Sequence, residues 1–208
     1  FEGVPILYSP YLLFPLNQER RSGLLTGRYG YSSRDGARVF QPVFIALDDS
    51  SDLLLTPFTE TRTRTGIMAD GRARFSRQHT LRAGGIYSNE SARDGDLRGL
   101  NVGDVFDPSI DDNRYGLFYQ HSLRSASRAL VPFSATADVK YVSDNLLLRE
   151  VDAPLIGRSS NRFVTSRVLG TASLGSYVTG EISSEYNQAI LSDQDTVFQR
   201  LPELTLRA

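Results

Sequence analysis

The sequence predicts an all-β fold of about ten long antiparallel strands, and three observations carry that expectation. Apolar and polar residues alternate with a period of two almost from end to end of the 208 residues. The alternating segments run to roughly ten residues, close to what a tilted strand needs to cross a bilayer, whereas most strands of soluble domains have about five or six. Short turns and long loops take turns between the segments, as in barrels whose two rims differ. No long amphipathic helix competes, and no run of about 18 apolar residues offers a transmembrane helix.

Ahead of the first strand, Val4 to Leu16 is apolar and aromatic and is punctuated by Pro5, Pro10 and Pro15. Proline fixes φ and removes a backbone donor, so this stretch belongs at an edge, bulge or seam. A basic junction, Arg20-Arg21-Ser22-Gly23, leads into a strand near 23–33, and Ser33-Arg34-Asp35-Gly36 turns it tightly into the next, Asp-Gly being a strong hairpin signal. In that second strand, 37–47, Ala37, Val39, Val43, Ile45 and Leu47 share one face with Gln41 the lone exception, and Arg38, Phe40, Pro42, Phe44 and Ala46 share the other. Asp48 to Ser51 forms a short turn to a strand at 52–62. The strand at 66–76 sets Ile67, Ala69, Gly71, Ala73 and Phe75 against Met68, Asp70, Arg72, Arg74 and Ser76, and Arg77-Gln78 turns it into 79–89.

After the long loop Glu90 to Asp112 comes a strand at 113–124, then an intermediate connection, Ser125 to Val131. The strand at 132–143 opposes Phe133, Ala135, Ala137, Val139 and Tyr141 to Ser134, Thr136, Asp138, Lys140 and Val142. In the loop Asp144 to Ser160, the stretch from Asp144 to Val151 reads as one or two helical turns capped by Asp144. Strands at 161–174 and 176–188 flank a turn around Gly175, and the loop Ala189 to Phe198 leads to a strand at 199–207. By parity the three long loops face outward from one rim.

Composition narrows the function. A net charge of -1 argues against a general nucleic-acid binder. Among the 23 basic residues only Lys140 is lysine, so the cations are almost all arginine, suited to bidentate phosphate and carboxylate recognition. The absence of cysteine excludes internal disulfides and thiolate metal sites. His79 and His121 read as polar strand positions, and Asp107, Asp111 and Asp112 as solvated loop acids without EF-hand spacing. No G-x-S-x-G, P-loop or G-x-G-x-x-G occurs, so neither a catalytic role nor a cofactor is expected. Beginning at Phe1, the chain reads as a piece of a longer protein.

Tyr29, Tyr31, Phe75, Tyr87, Tyr115, Tyr119, Phe133, Tyr141, Tyr177 and Tyr186 sit mostly near strand ends, as in the interfacial girdle of a membrane barrel. Aromatics also favour strands in general, and a soluble sandwich alternates in the same way. Both architectures therefore stay open on the pattern alone. A membrane barrel would place Arg28, Arg38, Asp70, Arg72, Arg74, Arg82, Asp138, Lys140, Glu181 and Glu185 in a polar lumen. A diffusion porin or uptake barrel is a third reading, and it predicts a constricting internal loop and no proline-rich prelude. The sandwich predicts a chain that folds alone in water.

The run Val4-Pro5-Ile6-Leu7-Tyr8-Ser9-Pro10-Tyr11-Leu12-Leu13-Phe14-Pro15, followed by Arg20-Arg21-Ser22-Gly23-Leu24-Leu25, resembles the LPS-assembly protein family, LptD, also called organic solvent tolerance protein. The resemblance continues through Tyr29-Gly30-Tyr31-Ser32-Ser33, Pro42, Leu55-Thr56-Pro57, Arg64-Thr65-Gly66, Tyr141-Val142-Ser143-Asp144 and Arg200-Leu201-Pro202-Glu203-Leu204. It implies an outer-membrane translocon that receives lipopolysaccharide from a periplasmic bridge protein, LptA, and delivers it to the outer leaflet. The family's barrel has about 26 strands and is filled in many relatives by a plug lipoprotein, LptE. On this basis residues 1–19 are the last strand of a periplasmic jellyroll and its linker. Residues 20–208 are then a partial antiparallel outer-membrane barrel, in contact with membrane lipids. A lateral gate and hinge are expected at Pro5, Pro10, Pro15, Gly23, Leu25, Thr26 and Gly27, with Thr26 standing where some members carry proline. Arg20, Arg21, Arg28 and Arg38 are the expected contacts to lipopolysaccharide phosphates.

Overall fold

One antiparallel sheet of twelve strands accounts for the residues that the computed structural model describes, which are 20–90, 111–126, 129–175, 177–190 and 197–207. The strands are β1 (Gly23–Leu24), β2 (Arg28–Ser32), β3 (Gly36–Phe40), β4 (Val43–Ala46), β5 (Ser51–Glu60), β6 (Arg64–Ser76), β7 (His79–Asn89), β8 (Asn113–Arg124), β9 (Phe133–Val142), β10 (Phe163–Leu174), β11 (Val178–Ala189) and β12 (Arg200–Arg207). From β5 onward each strand pairs with the next, β5 receives both β3 and β4, β2 pairs with β3, and β1 with β4. The sheet is open, with the first strand at one edge and β12 at the other. Its longer members, the 13 residues of β6 and the 12 of β8, β10 and β11, suit a tilted bilayer crossing.

Twelve strands stand where ten were expected because the first two are each interrupted. Gln41-Pro42 separates β3 from β4 without a slip, since Phe40 faces Phe58 and Val43 faces Leu55 in one continuous register. Pro42 has no N–H to give to the ladder, while Gln41 N still donates to Pro57 O at 3.1 Å. The first strand breaks differently. Leu24 faces Val43 and Arg28 faces Phe40, so it advances four residues while its partner advances three, which is a β-bulge at Leu25-Thr26-Gly27.

The expected alternation becomes rows across the sheet. One face carries Ile45, Leu53, Gly71, Ala83, Tyr119 and Val139 in register, and beside them Val43, Leu55, Ala69, Gly85, Leu117 and Tyr141. The opposite face carries Ala46, Asp52, Arg72, Arg82, Gln120, Asp138, Arg167 and Glu185. No second sheet covers the apolar face among the described residues. It leaves Leu117, Ile182, Leu204 and Leu206 between 52% and 71% exposed, so a sandwich is set aside. Turns form as their chemistry predicts: Gly36 takes φ 76° after Asp35, and Asp48 Oδ1 accepts the Ser50 N–H at 2.6 Å.

The long connection between β9 and β10 departs from expectation. Residues 143–162 fold back over the charged face instead of extending from the rim, because Leu146, Leu147, Leu148, Val151 and Ile156 pack on Phe40, Phe58, Ile86, Phe118, Val142 and Val164. Full burial of each such side chain contributes about 1.5–3 kcal/mol. Gly116 lies under this cover, where an added Cβ would meet Ile156 Cδ1 at 2.8 Å. The helix in the connection is a single turn, α1 (Leu147–Glu150), whose N-cap is Leu146 with no side-chain cap bond. Asp144 accepts the Leu146 N–H at 3.0 Å but spends most of its carboxylate on Arg114. The loops 90–112 and 189–198 lie mostly outside the described residues, and the 1–19 segment lies wholly outside them.

Candidate functional site

The seam begins at the sheet edge. Below the bulge, only two ladder pairs, Gly23 with Phe44 and Leu24 with Val43, tie the first strand to β4. Further bonds supplement them. Leu25 N donates to Pro42 O at 2.9 Å, Ala46 N donates to Ser22 Oγ at 2.9 Å, and Arg20 reaches Asp49 O at 3.0 Å and the Asp52 carboxylate. On the apolar face the Gln41 carboxamide spans the bulge, donating to Leu25 O at 2.8 Å and accepting from Tyr29 Oη at 2.8 Å. Above the bulge β2 and β3 pair over five residues each. Of the expected gate residues, Gly23 therefore sits in β1 and Leu25, Thr26 and Gly27 form the bulge. Pro5, Pro10 and Pro15 lie outside the described residues.

Next to this edge the inner wall is rich in arginine. Arg28 and Arg38 meet over one ring, their guanidinium carbons 5.0 and 5.6 Å from the Phe40 centroid. They rim a cavity of about 330 Å³ between the sheet and the folded-back connection. Arg20 stands apart over Phe44, in a wider cavity of about 630 Å³ shared with Arg72, Arg74, Arg82 and Asp138. Arg21 is exposed near the edge. Most lumen candidates are paired. Arg82 grips Asp70 through two bonds of 2.8 Å, Arg72 Nε meets Asp52 at 2.8 Å, Lys140 meets Asp138 at 3.1 Å, and Arg167 meets Glu185 at 2.7 Å. Glu181 lies in register between Thr171 and Thr205 on the same wall. Guanidiniums in this setting can offer charge-assisted hydrogen bonds to anionic groups without forming a closed pocket.

A deeper cluster was not anticipated. Arg64 and Arg114, 1% and 2% exposed, are held among Glu60, Glu90, Glu150 and Asp144 beneath the connection. Arg114 binds Asp144 with a fork, Nε to Oδ2 at 3.0 Å and Nη2 to Oδ1 at 2.7 Å, and also meets Glu90 and Glu150. Arg64 contacts Glu60 at 3.3 Å, Glu90 at 3.0 Å and Glu150 at 3.3 Å, and donates to the Glu150 carbonyl at 3.0 Å. Arg38 joins the cluster to the seam through Glu60 at 2.7 Å. The signal was available in part, since Arg114 shares the strand parity of Gln120. Burial beneath a loop is not visible in parity.

The histidines lie elsewhere. His79 and His121 are on the apolar face, with ring centroids 5.0 Å apart and neighbours Phe75 and Tyr119. Asp111 Oδ1 accepts the Asn113 N–H at 2.9 Å, and Asp107 is outside the described residues. Among the described residues no group of three or more His, Asp or Glu is placed to hold a metal ion.

No protein-family model matches the chain. Curated relatives do. It is 26% identical over 206 residues to the LPS-assembly protein LptD of Ectopseudomonas mendocina, covering 99% of this chain and 20% of that protein. It is 28% identical over 215 residues to the LPS-assembly protein LptD of Psychrobacter cryohalolentis, covering 98% of this chain and 19% of the relative. Against the protein of the same name from Ralstonia nicotianae the identity is 34% over 147 residues, covering 69% of this chain and 16% of the relative. The chain thus spans about a fifth of the length of the curated relatives it matches. An open all-β sheet with one apolar and one charged face, matched almost end to end by two of these relatives and over 69% of its length at 34% identity by the third, makes the chain a segment belonging to the LPS-assembly protein LptD family.

Proposed function

We propose that this segment is the seam-side wall of an outer-membrane barrel that assembles lipopolysaccharide into the outer leaflet. Sugar and phosphate groups pass along the arginine-bearing inner face, and acyl chains leave sideways beside the first strand. The observation that carries this reading is the meeting at one edge of an interrupted strand with Arg20, Arg28 and Arg38. Each unpaired backbone group facing lipid costs several kcal/mol, so a strand with few ladder bonds to lose opens more readily than a fully paired one. The apolar outer face supports a membrane location for residues 20–208. No described helix is long and apolar enough to cross a membrane, and a barrel crosses with strands. Residues 1–19, with Pro5, Pro10 and Pro15, are the jellyroll end and hinge in this reading. A periplasmic bridge such as LptA and a plug lipoprotein such as LptE are its partners.

The test uses the full-length protein in cells. Arg28→Glu is expected to slow the appearance of lipopolysaccharide at the surface several-fold while Arg28→Lys largely restores it, and Pro10→Ala or Pro15→Ala is expected to change export. Unaltered export in all of these variants would sink the proposal. One observation favours a second reading: the inward-folded connection 143–162 is the constriction that a diffusion channel would have. Steady solute conductance by the purified barrel, unaffected by lipopolysaccharide, together with export indifferent to Arg28→Glu, would favour the channel.

A further inference from the structure

Gln41 is the polar exception on an apolar face, and its carboxamide has nothing to gain from lipid. It sits where the ladder fails twice, beside Pro42, which has no N–H, and opposite the extra residue of the bulge. Its Nε2 donates to Leu25 O at 2.8 Å, with a longer contact to Pro42 O at 3.3 Å, and its Oε1 accepts from Tyr29 Oη at 2.8 Å. One side chain therefore ties the first residue of the bulge to the strand above it. Gly27 makes the room, because a Cβ there would stand 2.5 Å from Tyr29 Oη and 2.8 Å from Gln41 Oε1.

We propose that Gln41 is the latch of the first strand, a positioning residue whose carboxamide replaces the ladder bonds lost to Pro42 and the bulge. It fastens residues 22–27 through the Leu25 carbonyl and is itself steadied by the Tyr29 hydroxyl of β2. The two halves of the strand differ in what holds them. β2 has five consecutive ladder partners in β3, whereas the lower half relies on two pairs, one further backbone bond from Leu25 N to Pro42 O, and side-chain contacts from Ser22, Arg20 and Gln41. Releasing Gln41 frees the lower half first, so the seam opens from the β1 end while the hairpin of β2 and β3 stays closed. An amide released from a partner in lipid has no water to turn to, so the latch has two stable states, engaged or displaced by another polar group. The fastening stands on the geometry alone, and its part in export rests on the gate reading above.

Amide exchange in the full-length protein, reconstituted in lipid nanodiscs, tests it. Gln41→Met keeps the shape and removes the polar atoms. It is expected to speed exchange over residues 22–27 about tenfold, the effect of one to two net hydrogen bonds, and to leave 28–32 and 51–60 unchanged. Tyr29→Phe removes a single oxygen and is expected to give about a threefold rise over the same residues. Little is added when it is combined with Gln41→Met, because both act through one amide. If Gln41→Met does not assemble, Tyr29→Phe carries the test. Exchange over 22–27 within about twofold of the parent in the variants that assemble overturns the latch, whatever export does. Faster exchange with unchanged export leaves the latch standing and removes the gate reading instead.

Discussion

Replacing Arg114 with methionine removes the guanidinium that fastens the folded-back connection to the sheet. Arg114 is 2% exposed and faces three carboxylates, Asp144 through a two-bond fork and Glu90 and Glu150 through Nη1. Methionine fills most of the volume but leaves these acids without that partner, and deleting one member of a buried ionic cluster costs about 3–5 kcal/mol. Asp144 precedes α1 and Glu150 ends it, so the loss falls on the connection and not on the ladder. The apolar burial of Leu146, Leu147, Leu148, Val151 and Ile156 is opposed by the entropy of ordering the loop, and a loss of this size is expected to undock it. Arg114→Lys keeps a charge but cannot reproduce the fork, and about 1.5–3 kcal/mol is expected from the lost charged hydrogen bond. Limited proteolysis and amide exchange of residues 143–162 in the full-length refolded protein read this directly, with the strands as internal control. Protection of 143–162 unchanged to within about 1 kcal/mol in Arg114→Met would refute the claim that the cluster anchors the loop.

Val43 lies on the apolar face in register with Leu55 and Ala69. Val43→Arg is expected to destabilise the folded barrel by about 2–4 kcal/mol in lipid if the position is mid-bilayer, measured by denaturant unfolding, and a shift near zero would place this face in water. At the hairpin tip, burial alone would raise the Asp35 carboxyl, but hydrogen bonds from Arg34 and Ser32 outweigh it and hold it below the usual carboxylate range. A depressed folded pKa stabilises above the unfolded value and loses that contribution as pH falls through it. Amide protection over 31–37 is therefore expected to hold above about pH 4 and fade below it, and an equal fade in Asp35→Asn would exclude Asp35 as the cause.

What the sequence made legible follows from what alternation encodes. Period two states which side of a strand a residue occupies, so the apolar row through Ile45, Leu53 and Tyr119 and the charged row through Arg72, Arg82 and Asp138 were readable before any coordinates. It does not state depth. Arg64 and Arg114 carry the same parity signal as Arg72 and Arg74, yet the former are buried among Glu60, Glu90, Glu150 and Asp144 where the connection meets the sheet, while the latter line an open cavity. That difference is made by a connection whose direction loop parity cannot give, since short and long loops identify a rim but not whether a long loop turns outward or inward. The same connection displaced the expected helix cap. The position of Asp144 alone predicts an N-cap, but Arg114 competes for the carboxylate and a buried charge pair outweighs a capping bond of about 1 kcal/mol.

The seam shows the limit most clearly. Prolines mark weak pairing in a single strand, so they drew attention to the edge. The weak point in the described structure lies at Leu25-Thr26-Gly27 and Pro42. A bulge is a difference between two residue counts, four steps on one strand against three on the other, and no pattern within either strand contains it. What the strand did contain was Gln41, a polar residue breaking an apolar face. A carboxamide on a lipid-facing surface needs partners that the surface cannot supply, and the neighbouring strand can supply them only where its own ladder has failed. An exception of this kind in an otherwise regular strand therefore signals an interruption in its partner, and here the Leu25 carbonyl and the Tyr29 hydroxyl are the groups it found.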